Sequence, residues 1–169
     1  MLIIQGSHRK SGTTAAVVGK LEKELNVSVI HLSDLDLAHF SYVGTTDDDF
    51  VEVIRAMIIH QEVIWATPVY WYTMSGMMKV LLDRISDLLK WDKDLGRKLR
   101  GLKMHVVSVS GHNDAPEQFP LPFKMSADYL GMDFGQYMHV WGAEGVLDPA
   151  CIPVVQKFCH KILDTTINV

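Results

Sequence analysis

Residues 6–14 read GSHRKSGTT, and they follow the short apolar run Leu2-Ile3-Ile4 and Gln5. The apolar run has the length and composition of a buried strand. The stretch after it is too polar for core and too rich in hydroxyls for an ordinary turn, and it leads into residues 14–25, where Thr14, Val18, Leu21 and Leu25 repeat at helical spacing. A strand, a Gly/Ser/Thr loop and a helix in that order predict the first unit of an α/β sheet. Such sheets bind ligands at the carboxyl ends of their strands, where a following helix presents unpaired N–H groups and the positive end of its dipole. Gly6 and Gly12 permit close backbone approach, Ser7, Ser11, Thr13 and Thr14 offer hydroxyls, and Arg9 and Lys10 offer positive charge. The loop is therefore expected to hold a phosphate monoester. It is not a P-loop, because Thr13 stands where the lysine of G-x-x-x-x-G-K-[ST] is required, and the dinucleotide pattern G-x-G-x-x-G is absent. It has no cysteine, so thiolate phosphatase chemistry is excluded.

Working outward, further short apolar runs fall at 27–32, 62–67, 103–109 and 134–141, and the middle ones are apolar on both faces, as in a covered parallel sheet. Helical stripes lie between and after them: Met74, Met77, Met78, Leu81, Ile85 and Leu88; Val155, Cys159 and Ile162; and weaker patterns over 49–60 and 118–130. Five strands alternating with five helices predict an open doubly wound sheet. The start of the last helix is open between Asp148-Pro149 and Pro153. Residues 90–100 (KWDKDLGRKLR) read as a solvated connector, and Asp47-Asp48-Asp49 as a helix start that complements the dipole. His139 and Trp141, two apart in a strand, share one face.

The bulk composition sets limits. The chain has 169 residues, 48% hydrophobic and 21% charged, with a formal net charge of −4. One domain over 1–169 is expected, and no basic excess marks a nucleic-acid or anionic-membrane partner. No run approaches the length of a membrane span. The opening residues lack the features of a signal peptide, so a cytoplasmic location is expected. Cys151 and Cys159, eight residues apart on one helix, cannot bridge to each other and read as buried small hydrophobes. The histidines are scattered, so no metal site is expected.

A second constellation stands at the end of the third run: Ala66-Thr67-Pro68-Val69-Tyr70-Trp71-Tyr72, then Thr73-Met74-Ser75-Gly76-Met77-Met78-Lys79 opening a helix that reaches Leu82-Asp83-Arg84. Three aromatics replace an ordinary polar turn. A phosphate grip on one loop and a flat apolar platform on another suit a ligand with a phosphate tail and a planar ring.

GSHRKSGTT followed by ATPVYWYTMSGMMKVLLDR resembles the NAD(P)H-dependent FMN reductase and quinone reductase group of flavodoxin-like proteins, over residues 2–89. The resemblance implies a flavodoxin-like three-layer α/β sandwich, its five-stranded parallel sheet ordered 2-1-3-4-5 with helices on both faces, and FMN bound non-covalently. It implies that Ser7, Arg9, Ser11, Thr13 and Thr14 bind the phosphate, that Pro68, Val69, Tyr70, Trp71 and Tyr72 flank the isoalloxazine, and that Ser110, Gly111, His112 and Asn113 contact the ring or ribityl chain. Backbone N–H groups around 69–72 would favour negative charge on the reduced ring. The implied activity is an NAD(P)H oxidoreductase working by a ping-pong cycle with a quinone or similar small-molecule acceptor, in a homodimer or homotetramer, without a protein nucleophile. Some members carry an iron–sulfur cluster on cysteines after the second strand. The corresponding segment here, 39–49, has none, so no cluster is expected. Two other readings stand beside the enzyme: a non-enzymatic flavodoxin-type electron carrier, and a phosphate- or nucleotide-binding module that holds no flavin.

Overall fold

The computed structural model describes residues 1–44 and 47–167, with side chains to residue 164; residues 45 and 46 of the cysteine-free segment lie outside it. The elements in chain order are β1 (Leu2–Gln5), α1 (Thr13–Leu25), β2 (Ser28–His31), α2 (Phe50–His60), β3 (Glu62–Pro68), α3 (Gly76–Lys90), α4 (Lys93–Arg97), β4 (Lys103–Ser110), α5 (Leu121–Leu130), β5 (Asp133–Ala143), β6 (Val146–Leu147) and α6 (Ile152–Ile167). Among the described residues, no helix is long and apolar enough to cross a membrane.

Strand alternation separates two cores. Leu2, Ile4, Val63, Trp65, Met104 and Val106 point to one face, where α2, α3 and α5 bring Phe50, Ile54, Met78, Leu81, Ile85 and Phe123. Ile3, Ile64, Ala66, Val107 and Val109 point to the other, against Val17, Val18 and Leu21 of α1 and Val155, Phe158 and Ile162 of α6. Because both faces are covered, the inner strands are largely apolar on both sides, with Gln5, Thr67, His105 and Ser108 as buried polar exceptions. This is the three-layer, flavodoxin-like α/β arrangement.

The sheet has six strands in the order β2-β1-β3-β4-β5-β6, one more than the five expected. The first five are parallel, and β6 is a two-residue strand antiparallel to β5. Glu144 and Gly145, at φ 50° and 81°, turn the chain between them, and such left-handed pairs suit the twist of a two-residue hairpin. A two-residue strand carries too little periodicity to register in the sequence. The 90–100 connector holds α4, whose first turn is capped by Asp92 Oδ1 accepting from Leu95 N (3.0 Å). Its charges stay in solvent, but Leu99 is fully buried. At the start of the last helix both prolines serve: Pro149 opens a short 3₁₀ turn with Asp148 Oδ1 accepting from Ala150 N (2.9 Å), and Pro153 lies in the first turn of α6.

The aspartate run does more than start α2. Asp48 Oδ1 accepts from Phe50 N (3.1 Å), but the same carboxylate also pairs with the buried Arg84 guanidinium of α3. Arg84 Nε in turn bonds Asp87 Oδ2 (2.6 Å), Nη1 bonds the Ala38 carbonyl (2.9 Å), and the guanidinium lies 4.7 Å from the centre of the Phe50 ring. This network fastens the long β2–α2 connection to α3.

A bulge sets the register at the carboxyl end of β5. Met104 pairs with Phe134 but Val106 with Tyr137, so Gly135 and Gln136 face His105. A Cβ at Gly135 would lie 2.5 Å from His105 Cε1, and Gln136 N donates to His105 Nδ1 (2.8 Å). The shift brings His139 opposite Ser108 and Trp141 opposite Ser110.

Candidate functional site

β1, β3, β4 and β5 all end at one edge of the sheet, and the loops leaving them enclose a cavity of about 520 Å³. Its walls are Ser7, Arg9, Ser11, Gly12, Thr13 and Thr14 from the first loop, Pro68, Val69 and Tyr70 from the third strand end, Val109, Ser110 and Gly111 from the fourth, and Gly142, Ala143, Glu144 and Gly145 from the β5–β6 hairpin.

The first wall is the start of α1. Gly12 occupies the N-cap with no side-chain cap, and the first turn contains no acidic residue. An α-helix leaves its first N–H groups unpaired and electropositive, and here neither a cap nor an acidic side chain of the first turn offsets them. Arg9 folds over Gly12 so closely that a Cβ there would lie 3.2 Å from the Arg9 Cβ. Lys10 behaves differently from the expectation of a shared positive charge. It pairs with Asp34 (2.6 Å) and does not line the cavity.

The first loop is held against the third by Ser75. Its Oγ donates to the Gly6 carbonyl (2.5 Å) and accepts from Met78 N (3.2 Å) as the N-cap of α3, while its own N–H donates to Thr67 Oγ1 (3.0 Å). Gly6 has no room for a side chain, since a Cβ would lie 2.9 Å from Met78 Cε.

The aromatic segment forms a tight hairpin. Tyr70 N donates to the Thr73 carbonyl (2.9 Å) and Thr73 N to that of Tyr70 (3.1 Å). Trp71 and Tyr72 form the tip at φ 49° and 66°, left-handed conformations that are costly for bulky residues and that cluster at functional sites. Val69 N is spent on the Val109 carbonyl (2.8 Å), so of the N–H groups expected to face a ligand, only those of Trp71 and Tyr72 make no hydrogen bond among the described residues. Trp71 is 92% exposed.

Of the fourteen residues singled out from the sequence, Ser7, Arg9, Ser11, Thr13, Thr14, Pro68, Val69, Tyr70, Ser110 and Gly111 line this one cavity, whereas Asn113 is exposed and lines neither it nor the groove beside it. Trp71 and Tyr72 instead line an adjoining groove with Val69, Ser110, Gly111 and Asp114. The His112 side chain is exposed and lines neither; its carbonyl accepts from Ser110 Oγ and from Asp114 N (2.9 Å). Sequence reasoning missed the hairpin wall. Its signal was the spacing of Gly142 and Gly145: a Cβ on the first would meet the Val146 carbonyl at 2.1 Å, and on the second the Ser11 carbonyl at 2.6 Å. Among the described residues, no three His, Cys, Asp or Glu side chains come together as a metal site.

Residues 1–118 match the family model for NADPH-dependent FMN reductase. The chain is 27% identical over 147 residues, 80% of its length and 81% of the relative's, to YwqN of Bacillus subtilis (strain 168), named as an NAD(P)H-dependent FMN-containing oxidoreductase. Among solved structures, it is similar to the Trp repressor binding protein from Bacillus subtilis (25% identity, TM-score 0.66, 85% of each chain). The flavodoxin, WrbA-like protein from Agrobacterium tumefaciens shares the fold at 10% identity (TM-score 0.70, 99% of this chain and 96% of that one). The family match stops before α5, so the β5–β6 hairpin lies beyond it.

Proposed function

The chain belongs to the NADPH-dependent FMN reductase family, flavodoxin-like proteins with FMN as cofactor and NAD(P)H as electron donor, and from that premise we propose that it is an oxidoreductase of one FMN-binding domain, 1–169, with a quinone or similar small molecule as electron acceptor. The observation that carries this reading is the uncapped, acid-free start of α1, facing a cavity lined by hydroxyls and Arg9. That donor set fits a phosphate monoester, and the apolar Pro68–Val69–Tyr70 wall across the cavity fits a planar ring.

In this reading Ser7, Ser11, Thr13 and Thr14 donate hydroxyl and backbone hydrogen bonds to the phosphate, and Arg9 neutralises its charge. Pro68, Val69, Tyr70, Ser110 and Gly111 flank the ring system. Trp71 and Tyr72 present flat faces beside the open groove where the donor and acceptor alternate, and His112 acts through its backbone. FMN held there would supply the redox chemistry between NAD(P)H and the acceptor. The protein contributes orientation, exclusion of water and the unpaired N–H groups of Trp71 and Tyr72, which favour negative charge nearby. A homodimer or homotetramer fits the exposure of the aromatic tip, which a second subunit can cover.

The test compares FMN with riboflavin. Arg9→Ala should weaken FMN by about tenfold, the worth of one exposed charge-assisted contact, and leave riboflavin unchanged. NADPH oxidation by the FMN-loaded protein should depend on an added quinone. Equal loss of both flavins would remove the phosphate assignment, and bound FMN without NAD(P)H oxidation would favour the electron carrier.

A further inference from the structure

Beneath the loop that follows β4 lies a line of polar side chains in a largely apolar sheet. Ser108 Oγ lies 2.9 Å from Tyr137 OH and 2.9 Å from His139 Nδ1, and Ser110 Oγ lies 3.3 Å from His139 Nε2 and donates to the His112 carbonyl. The β5 bulge creates this line by placing Tyr137 and His139 opposite Val106 and Ser108. Ser108 is fully buried, the Tyr137 ring stacks on Phe119 and the His139 ring on Trp141.

Counting protons fixes the direction of every bond. A carbonyl can only accept, so the single Ser110 hydroxyl proton is committed to His112 O. Ser110 Oγ can then only accept from His139, which requires the proton on Nε2. Neutral His139 therefore has a bare Nδ1, which must accept from Ser108. With its proton spent there, Ser108 accepts from Tyr137. The result is one unbroken run: Tyr137 to Ser108 to His139 to Ser110 to the His112 carbonyl, which Asp114 N also binds (2.9 Å). Each hydroxyl donates once, and the run ends on the loop whose Ser110 and Gly111 line the cavity.

We propose that His139 is a positioning residue of the flavin site: as the neutral Nε2–H tautomer it orients Ser110 and so holds the turn 110–114 in the shape that closes the cavity. The role as a flavin site rests on the reading above, whereas the tautomer and the loop coupling do not. Burial lowers the His139 pKa below the usual 6.5, against the opposing pull of the His112 carbonyl, the Asp114 carboxylate and the Ser108 carbonyl. Tyr137, on its own strand, stays protonated because burial raises its pKa. The run is thus complete at neutral pH. Acid adds a second donor at Nδ1, which faces the Ser108 proton and reverses that bond.

Two measurements test this. In the flavin-free protein, nitrogen NMR of ¹⁵N-histidine-labelled wild type and of a His139→Gln control, which identifies the His139 signals, should show Nε2 protonated and Nδ1 bare. The group should titrate below 6.5, and hydrogen exchange at 110–114 should quicken in step. The opposite tautomer, or exchange indifferent to that titration, overturns the proposal whether or not FMN binds. In the second, FMN dissociation constants are compared between wild type and His139→Gln, whose amide offers a donor group and an acceptor group but does not titrate. At pH 7.5 the two should agree within about twofold, while His139→Phe is weaker by about fivefold, the worth of one lost hydrogen bond. The ratio of wild type to Gln variant cancels the titration of the phosphate itself and should rise as pH falls below 6.5. A flat ratio, or a Gln variant as weak as the Phe variant, refutes the positioning role. Failure of wild type to bind FMN at all refutes the flavin reading and leaves the NMR result to decide the rest.

Discussion

Replacing Ser75 with alanine removes one oxygen that makes two bonds in a buried place. The side chain is 3% exposed. Losing the N-cap of α3 costs about 1 kcal/mol. Losing the donor to the Gly6 carbonyl strands a buried acceptor between the first loop and α3, at about 1–3 kcal/mol. The expected loss of stability is therefore about 2–4 kcal/mol, or about 4–16 °C in melting temperature for a domain of this size. Urea unfolding of the flavin-free protein should show a lower midpoint at unchanged slope. Because Gly6 begins the loop proposed to hold the FMN phosphate, FMN affinity should fall as well. A stability loss below about 0.5 kcal/mol would refute the reasoning, since it would mean that neither bond is worth more than an exposed contact.

Asp48→Asn leaves the Arg84 guanidinium buried beside a single carboxylate and should cost about 3 kcal/mol in urea unfolding; both partners are only 2% exposed. His105, with Nδ1 accepting from Gln136 N and Nε2 2.8 Å from Glu62 Oε1, has its pKa lowered by burial in spite of Glu62. Below pH 6.5 the unfolded chain then binds more protons than the folded one, so the urea midpoint should fall between pH 7.5 and 5.5, and less so in His105→Gln. Burial pushes the Cys159 thiol up to about 11 and raises that of Cys151. A thiol reagent at pH 8 should therefore react with the native protein only at its unfolding rate, and at once in denaturant.

The sequence by itself determined the layers and the two loops that face each other. Doubly covered strands must be apolar on both sides, and helices with one buried face must repeat near 3.6, so both signals survive in a linear reading. GSHRKSGTT was legible as a cavity wall because a run of hydroxyls and glycines between a strand and a helix belongs at the carboxyl end of a sheet. Tertiary structure decided what depends on partners distant in the chain. Lys10 is withdrawn from the cavity by Asp34, and Asp48 is claimed by Arg84, 36 residues on. Ser75 reaches back to Gly6, a separation of 69 residues. The β5–β6 hairpin closes the cavity because Gly145 fits against the Ser11 carbonyl, and the bulge at His105 brings Tyr137 and His139 to Ser108. Such contacts depend on register and close approach, set by the packed backbone, and a one-residue change in register moves every later side chain to the other face.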